Sequence, residues 1–301
     1  MLAVTFAKFG DPSVLELTTM PDPHAGPGQV RIAVRAAGVN PFDWKVRSGF
    51  FRDMFTTEFP AIPGLEAAGV VDEVGEGVQG LGPGDEVFGL GARTYAELAV
   101  LDHFTARPAA LSWPQAGGLA VAAEAAVRAL EIIRPAAGQT LLIEGAAGAV
   151  GGTAAQIARA AGVTVIGTAG ESNQDFLRSL GVLPATYGPG LPARVAALAP
   201  AGVDAVFDTS GRGSLQELIE IAADPGHVVT IANFSAAEHG ARVTSRTQAF
   251  HALPEAARLA EEGKLTPAID SEFPLAEAAK AHERSQAGHV RGKIVLLVAG
   301  A

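Results

Sequence analysis

Leu141-Leu142-Ile143-Glu144-Gly145-Ala146-Ala147-Gly148-Ala149-Val150-Gly151-Gly152 is the stretch on which the fold turns. A short apolar run leads into a glycine-rich turn. A helical pattern follows as far as Ala161, with Gly162 as its stop. In this context each glycine has a physical reason. Gly145 allows the tight turn, Gly148 lacks the Cβ that would keep an anion off the backbone, and Gly151 lets the helix pack closely. Free N–H groups of the first helical turn, together with the helix dipole, then favour phosphate oxygens. The spacing is G-x-x-G-x-x-G, not G-x-G-x-x-G, and a loop that merely needs glycine dihedrals has the same letters. The strand–loop–helix–strand context favours dinucleotide binding.

Outward from this loop, helical patterns alternate with short apolar runs from about residue 113 to 235. Leu141-Leu142-Ile143, Val163-Thr164-Val165-Ile166, Ala205-Val206-Phe207 and Val228-Val229-Thr230-Ile231 read as four buried parallel strands of a doubly wound sheet. The texture before Ser112-Trp113-Pro114 is different. Val30-Arg31-Ile32-Ala33-Val34-Arg35 alternates as a half-buried strand does, and residues 64–91 hold short apolar pieces split by glycine turns. That segment predicts a compact barrel-like β unit. After Pro254 the pattern predicts a helix over 255–262, a turn at Gly263, a helix over 275–286 and a strand over 293–298.

A length of 301 residues carries two domains at roughly 150 residues each. Hydrophobic residues at 48% and charged ones at 18% exclude a disordered chain. A net charge of -10 with no basic run argues against a nucleic-acid partner. Cysteine is absent, which removes disulfides, thiolate nucleophiles and every Cys-based zinc site. Lys8 comes too early for a signal peptide. Glu124, Arg128, Glu131 and Arg134 interrupt one apolar stretch, and Gln156 and Arg159 the other, so neither reads as a membrane span. The expected location is the cytoplasm.

An acid at the end of the second strand would hold a ribose 2′-hydroxyl and favour NAD. Here that strand ends Ile166-Gly167-Thr168-Ala169-Gly170. Glu171 follows and could serve NADH, whereas Ser172 and Asn173 are neutral donors suited to a 2′-phosphate. NADPH is the expected cofactor. Far upstream, Gly38-Val39-Asn40-Pro41-Phe42-Asp43-Trp44-Lys45-Val46-Arg47-Ser48-Gly49 reads as a short helix. Asn40 is its N-cap, Pro41 its first residue, Asp43 its third and Gly49 its stop. Capping alone would explain these residues.

With these segments in view, the chain resembles the medium-chain dehydrogenase/reductase superfamily, in its zinc-free quinone oxidoreductase (zeta-crystallin-like) branch. Residues 38–49 look like the family's G-V-N-P-x-D-x-x-x-R-x-G. Pro63-Gly64-Leu65-Glu66-Ala67-Ala68-Gly69-Val70-Val71 looks like its P-G-x-E-x-A-G-V-V. Gly84-Asp85-Glu86-Val87-Phe88-Gly89, Thr94-Tyr95-Ala96-Glu97, the glycine loop, Phe273-Pro274-Leu275-Ala276-Glu277-Ala278 and Gly288-His289-Val290-Arg291-Gly292-Lys293-Ile294-Val295-Leu296 follow in the family's order. The resemblance implies a GroES-like catalytic domain over 1–112 and 252–301, and a Rossmann NADP-binding domain over 113–251. The cofactor would lie in the cleft between them. Zinc alcohol dehydrogenases of the superfamily have a Cys near Asn40 and a His where Leu65 stands, so no zinc is expected. A quinone or activated alkene is already electrophilic and needs no Lewis acid.

The resemblance implies catalytic roles for Asn40 and Lys45. The implied cofactor contacts are Asn40, Gly145, Ala146, Ala147, Gly148, Ala149, Val150, Thr168, Gly170, Ser172, Asn173, Tyr187, Asn233 and Phe234. Lys45 would polarise a carbonyl or supply a proton, or else be a solvated lysine on an exposed helix face. Tyr187 would pack near the adenosine phosphate and Phe234 beside the nicotinamide. Ser172 or Asn173 replaces the family's basic residue for the 2′-phosphate. Ala125, next to an unexpected Glu124, replaces its Thr, and a short 236–251 stretch implies a more open pocket. The seven histidines are scattered without metal spacing and receive no catalytic role. The implied activity is NADPH-dependent reduction of a small-molecule quinone, by a homodimer paired through an edge of the cofactor-domain sheet near 228–231. An enone/alkenal double-bond reductase and a non-catalytic NADPH-binding protein are the competing readings.

Overall fold

The computed structural model describes residues 1–244 and 248–298. Residues 245–247, inside the short 236–251 stretch, lie outside the described residues, and so does the pocket shape inferred from that stretch. The chain forms two compact units. One comprises residues 1–121, 253–261 and 266–301, and the other 122–252 and 262–265. The expected boundary at 112/113 falls before the first of these divisions.

The first unit begins with the antiparallel pair β1 (Leu2–Thr5) and β2 (Glu16–Thr19). The long strand β3 (Val30–Val39) follows, then helix α1 (Pro41–Arg47), β4 (Glu66–Val74), β5 (Glu86–Leu90), β6 (Leu98–Leu101) and β7 (His103–Ala106). Along β3 the apolar residues Val30, Ile32 and Val34 are buried, while Arg31, Ala33 and Arg35 are half-buried, the alternation of a strand with one face on the core. A short helix, α2 (Trp113–Gly117), and a longer one, α3 (Ala120–Ile133), lead on, and α3 carries the chain into the second unit.

The second unit contains β8 (Thr140–Glu144), α4 (Ala149–Ala160), β9 (Thr164–Ala169), α5 (Gln174–Ser179), β10 (Leu183–Thr186), α6 (Leu191–Leu198), β11 (Ala205–Asp208), α7 (Leu215–Ala222), β12 (Val228–Thr230) and β13 (Arg242–Val243). Its sheet order is β10-β9-β8-β11-β12-β13, and every pairing is parallel. This is the 3-2-1-4-5-6 order of a dinucleotide-binding sheet, and β8 and β11 meet at its topological switch point. Leu142, Ile166, Val206 and Val228 form the spine of one core, against Leu218 of α7 and Val195 of α6.

Two of these strands escape a reading based on pattern. β10 contains Pro184 and β13 has two residues. Both are edge strands, where a proline's missing N–H is tolerated and apolar alternation need not develop. The strand expected near the dimer edge, β12, is therefore not the edge itself, because β13 pairs outside it.

The chain then returns to the first unit through α8 (Ala252–Glu261), β14 (Ile269–Pro274), α9 (Ala278–Ala287) and β15 (Lys293–Leu297). The helix expected over 275–286 starts three residues later, after a 3₁₀ turn at Leu275–Glu277. These strands complete a sheet of order β14-β15-β3-β4-β5-β7, with β6 also on β3. Ile294 and Leu296 join Val30, Ile32, Val34 and Leu101 in its core. The last strand thus packs beside residues more than 250 positions away in the chain.

Candidate active site

In the second unit the glycine loop sits at the C-terminal end of β8. Gly145 has φ +82°, the left-handed region that L side chains avoid. A Cβ on Gly151 would lie 2.4 Å from the Gly145 carbonyl oxygen, so α4 packs directly on the turn. A Cβ on Gly148 would meet only that same oxygen, at 3.4 Å, leaving its outer side bare. Gly148 is the N-cap of α4 and has no side chain to satisfy the N–H groups of Ala149, Val150 and Gly151. An approaching pyrophosphate would find open backbone and unpaired donors, and these residues therefore fit a dinucleotide.

A polar network beneath the loop holds its shape. The Thr168 hydroxyl donates to the Glu144 carboxyl and accepts the Gly145 N–H at 3.0 Å. The Thr209 hydroxyl donates to the Glu144 carbonyl at 2.7 Å. Burial pushes the Glu144 carboxyl above its usual range, Thr168 opposing and Asp208 adding to the shift. Thr168 is fully buried. Its hydroxyl supports the turn and does not face outward, as a direct cofactor contact would require.

The other second-unit candidates follow the C-terminal ends of parallel strands and so share one edge of the sheet. Gly170 and the turn Glu171–Asn173 come after β9, with Glu171 and Ser172 exposed. Tyr187, after β10, is 49% exposed, and a Cβ on Gly170 would lie 3.4 Å from its hydroxyl. Asn233 follows β12 and caps the next turn by accepting the Ser235 N–H at 3.2 Å. Phe234 beside it is 68% exposed. Glu124 accepts the Ala249 N–H at 3.0 Å and pairs with Arg128 at 2.8 Å, which accounts for the acid beside Ala125.

In the first unit, α1 has Asn40 at its N-cap and Pro41 at its first position. The Asp43 carboxylate accepts the Asn40 N–H at 2.7 Å. The Asn40 side chain, however, turns into a buried cluster. Its Nδ2 donates to Glu66 Oε1 at 3.0 Å and its Oδ1 accepts from Lys293 Nζ at 2.6 Å. Lys293 Nζ is also 2.5 Å from Glu66, and Glu66 accepts the Val121 N–H at 2.8 Å. Both polar atoms of the Asn40 amide are thus engaged inside the protein, whereas the resemblance implies a contact with cofactor or substrate.

Lys45 is half-buried. Its Nζ lies 5.7 Å from the Trp44 ring centre and 5.8 Å from that of Phe50, with no ion pair among the described residues. It does not border the nearby cavity of about 350 Å³. Asp43 does, together with Phe42, Phe55, Ile62 and Leu65. Asp43 was legible only as a capping residue, because nothing in a sequence marks a carboxyl that also faces a cavity.

Zinc does not fit the residues present. A leucine side chain at position 65 has no lone pair to donate. The Lys293 ammonium already supplies a positive charge beside Asn40 Oδ1. Among the described residues no group of three His, Cys, Asp or Glu side chains could hold a metal ion. No described helix is long and apolar enough to cross a membrane.

A parallel dinucleotide-type unit joined to a β-rich unit with a buried polar cluster is the architecture of a two-domain dehydrogenase or reductase. Comparison with known proteins agrees. Residues 26–129 match the family described as alcohol dehydrogenase GroES-like domain, and residues 191–296 the family described as zinc-binding dehydrogenase. The quinone oxidoreductase of Lama guanicoe is 31% identical over 99% of this chain and 98% of its own. The solved quinone oxidoreductase of Coxiella burnetii is 32% identical, with a TM-score of 0.85 over 99% of both chains. A mycobacterial relative solved in complex with NADPH is 26% identical, with a TM-score of 0.85 over 99% of this chain and 100% of its own. The chain belongs to the medium-chain dehydrogenase/reductase superfamily, in its zinc-free quinone oxidoreductase branch. It is an oxidoreductase with a nicotinamide-cofactor domain.

Proposed function

We propose that this protein reduces quinones with NADPH, without zinc, acting in the cytoplasm as a homodimer. The observation that carries the reading is the turn after β8, where Gly148 has no side chain to cap the N–H groups of Ala149, Val150 and Gly151 and leaves the backbone open. Gly145, Ala146 and Ala147 shape that turn, and Thr168 holds it from below. Ser172, Asn173 and Tyr187 border the end of β9, which has no acid for a ribose diol. This supports NADPH over NADH, as does the NADPH complex of the mycobacterial relative. Asn233 and Phe234, past β12, would border the nicotinamide.

When bound, the nicotinamide supplies a hydride. The chain contributes binding, orientation and exclusion of water. An apolar cavity bordered by Phe42 and Phe55 suits a flat conjugated acceptor. The names of the relatives support a quinone. Titrating the apo protein with NADPH and with NADH, then assaying turnover of 9,10-phenanthrenequinone, tests the reading. Tighter binding of NADH would overturn the cofactor assignment and point to Glu171. Absence of turnover would overturn the activity.

Lys45 favours a second reading. A half-buried ammonium with no ion pair among the described residues would polarise a carbonyl that reaches it beyond the cavity lining, which an enone needs more than a quinone does. Comparing turnover of an alkenal with that of the quinone decides between them. The dimer is supported by β13, a two-residue strand that leaves an open sheet edge for a second copy to extend. A monomer in sedimentation at micromolar concentration would refute it.

A further inference from the structure

The first unit contains a buried carboxyl that no step above uses. Asp43 is 3% exposed and borders the cavity. Its Oδ2 accepts two hydrogen bonds, from the Asn40 N–H at 2.7 Å and the Tyr95 hydroxyl at 3.0 Å. Neither bond involves Oδ1. A carboxyl that gains a proton on Oδ1 still accepts both bonds at Oδ2, so α1 stays capped in either protonation state. One wall of the cavity is aromatic. Phe42 stacks with Phe51 at 5.3 Å and 30°, and with Phe55 at 6.1 Å and 22°. Asp43 lines the same cavity as Phe42 and Phe55.

We propose that Asp43 donates the proton from Oδ1 to the carbonyl oxygen of an aromatic quinone held in this cavity; this rests on the reductase reading above. The hydride brings two electrons and one hydrogen to the acceptor and leaves an oxyanion. The Asp43 O–H bond breaks and a phenolic O–H bond forms, giving the hydroquinone. The Asp43 carboxylate so produced keeps its bonds from Asn40 and Tyr95, and recovers a proton from water before the next turnover.

The charge environment suits this role. Burial pushes the Asp43 carboxyl up to about 7, against the pull of the Asn40 N–H, the Tyr95 hydroxyl and the Lys293 ammonium, while Glu66 adds to the rise. From α9, His282 approaches the Tyr95 hydroxyl at 3.4 Å, and burial holds its imidazole down to about 3, so it is neutral. Arg47, on α1 with Asp43, is turned to the Gly10 carbonyl and Gln286. The exposed Glu58 and Arg93 also border the cavity. Asp43 is therefore a group that carries its proton at pH 6 and loses it above pH 7.

The test has an arm that needs no cofactor. Quenching of tryptophan fluorescence by 2-methyl-1,4-naphthoquinone is followed in the apo protein from pH 5.5 to 9, with Trp44 on α1 as the reporter. Wild-type binding should weaken about tenfold above pH 7, as the donor to the carbonyl is lost. Asp43→Asn should bind without that dependence, since an amide N–H takes the place of the acid at every pH. In turnover, the wild type should decline above pH 7. Asp43→Asn should be slower by about 10²-fold at pH 6 and flat above it. Tyr95→Phe removes a donor to the carboxylate and should move both pH limbs upward. A pH limb that survives in Asp43→Asn, or wild-type binding indifferent to pH, overturns the proposal. If Asp43→Asn does not fold, an unmoved limb in Tyr95→Phe overturns it and a raised limb supports it. If no quinone is reduced with either nicotinamide cofactor, the reductase reading fails, and the apo binding arm still judges Asp43.

Discussion

Replacing Lys293 with Met removes the positive charge bonded to Glu66 and keeps the length of the stem. The cost follows from the buried cluster. Glu66 is fully buried and Lys293 nearly so, with Nζ 2.5 Å from the carboxylate. In the variant, Glu66 keeps the Asn40 Nδ2–H and the Val121 N–H, and Asn40 Oδ1 loses the Lys293 donor. Breaking one side of a buried pair costs about 3–5 kcal/mol, because the remaining charge stays out of water. The carboxylate can escape that cost by taking up a proton, so the loss should be large at pH 8 and smaller at pH 5.5. Trp44 and Trp113, the chain's two tryptophans, both lie in the first unit. Guanidinium unfolding followed by tryptophan fluorescence thus reads the affected unit alone, which matters in a protein of two units. Adding Glu66→Gln to Lys293→Met should recover part of the loss, since the charge is gone and the amide oxygen accepts one of the two donors, while its NH2 faces the other. A loss below about 1 kcal/mol at pH 8, or an equal loss at both pH values, would refute the reasoning.

Four further outcomes are expected. Lys45→Met should depress alkenal or enone turnover by about 10²–10³-fold and quinone turnover only slightly, with cofactor affinity unchanged in fluorescence titration; equal small effects would make Lys45 a solvated lysine. Gly148→Val should weaken NADPH binding by at least about tenfold with little change in thermal unfolding, because its outer side faces no chain atom. Gly151→Ala, with its Cβ 2.4 Å from the Gly145 oxygen, should instead destabilise the second unit by about 1–3 kcal/mol in denaturant unfolding followed by circular dichroism. Stability against pH should carry two opposed slopes. The Asp43 carboxyl, raised from 3.8 to about 7, contributes stability that is full below about pH 4 and lost as pH rises through 7. The His282 imidazole, lowered from 6.5 to about 3, contributes stability that is full above pH 6.5 and lost as pH falls through 3. Each is worth up to about 4–5 kcal/mol, so wild-type unfolding should be nearly flat between pH 4 and 6.5. Asp43→Asn should become more stable with rising pH across that window, measured by urea unfolding at fixed pH steps.

The local chemistry of both sites was written in the sequence. Gly145, Gly148 and Gly151 follow an apolar strand and open a helix, and backbone sterics leave such a run few other forms. Asn40, Pro41 and Asp43 stand at the first positions of a helix because each suits its place there. The alternation through Val30, Ile32 and Val34 marks the core face of β3 for the same kind of reason, since strand geometry acts between near neighbours. Edge strands β10 and β13 left no such mark. A proline or a two-residue length is tolerated where only one side is paired.

Tertiary structure decided which functional groups meet. Lys293 reaches Asn40 and Glu66 only because β15 pairs with β3 and β3 with β4, an arrangement that brings the two ends of the first unit together. The same pairing commits the Asn40 amide to the interior. Thr168 holds up the Gly145 turn because β8 and β9 are neighbours. Asp43 became more than a cap when Tyr95, itself approached by His282, was packed against it beside a cavity. Propensity and capping are energies of adjacent residues and can be read along the chain. The desolvation that raises the Asp43 carboxyl, and the pairing of Lys293 with Glu66 and Asn40 away from water, are properties of an enclosure that exists only once the chain has closed around them.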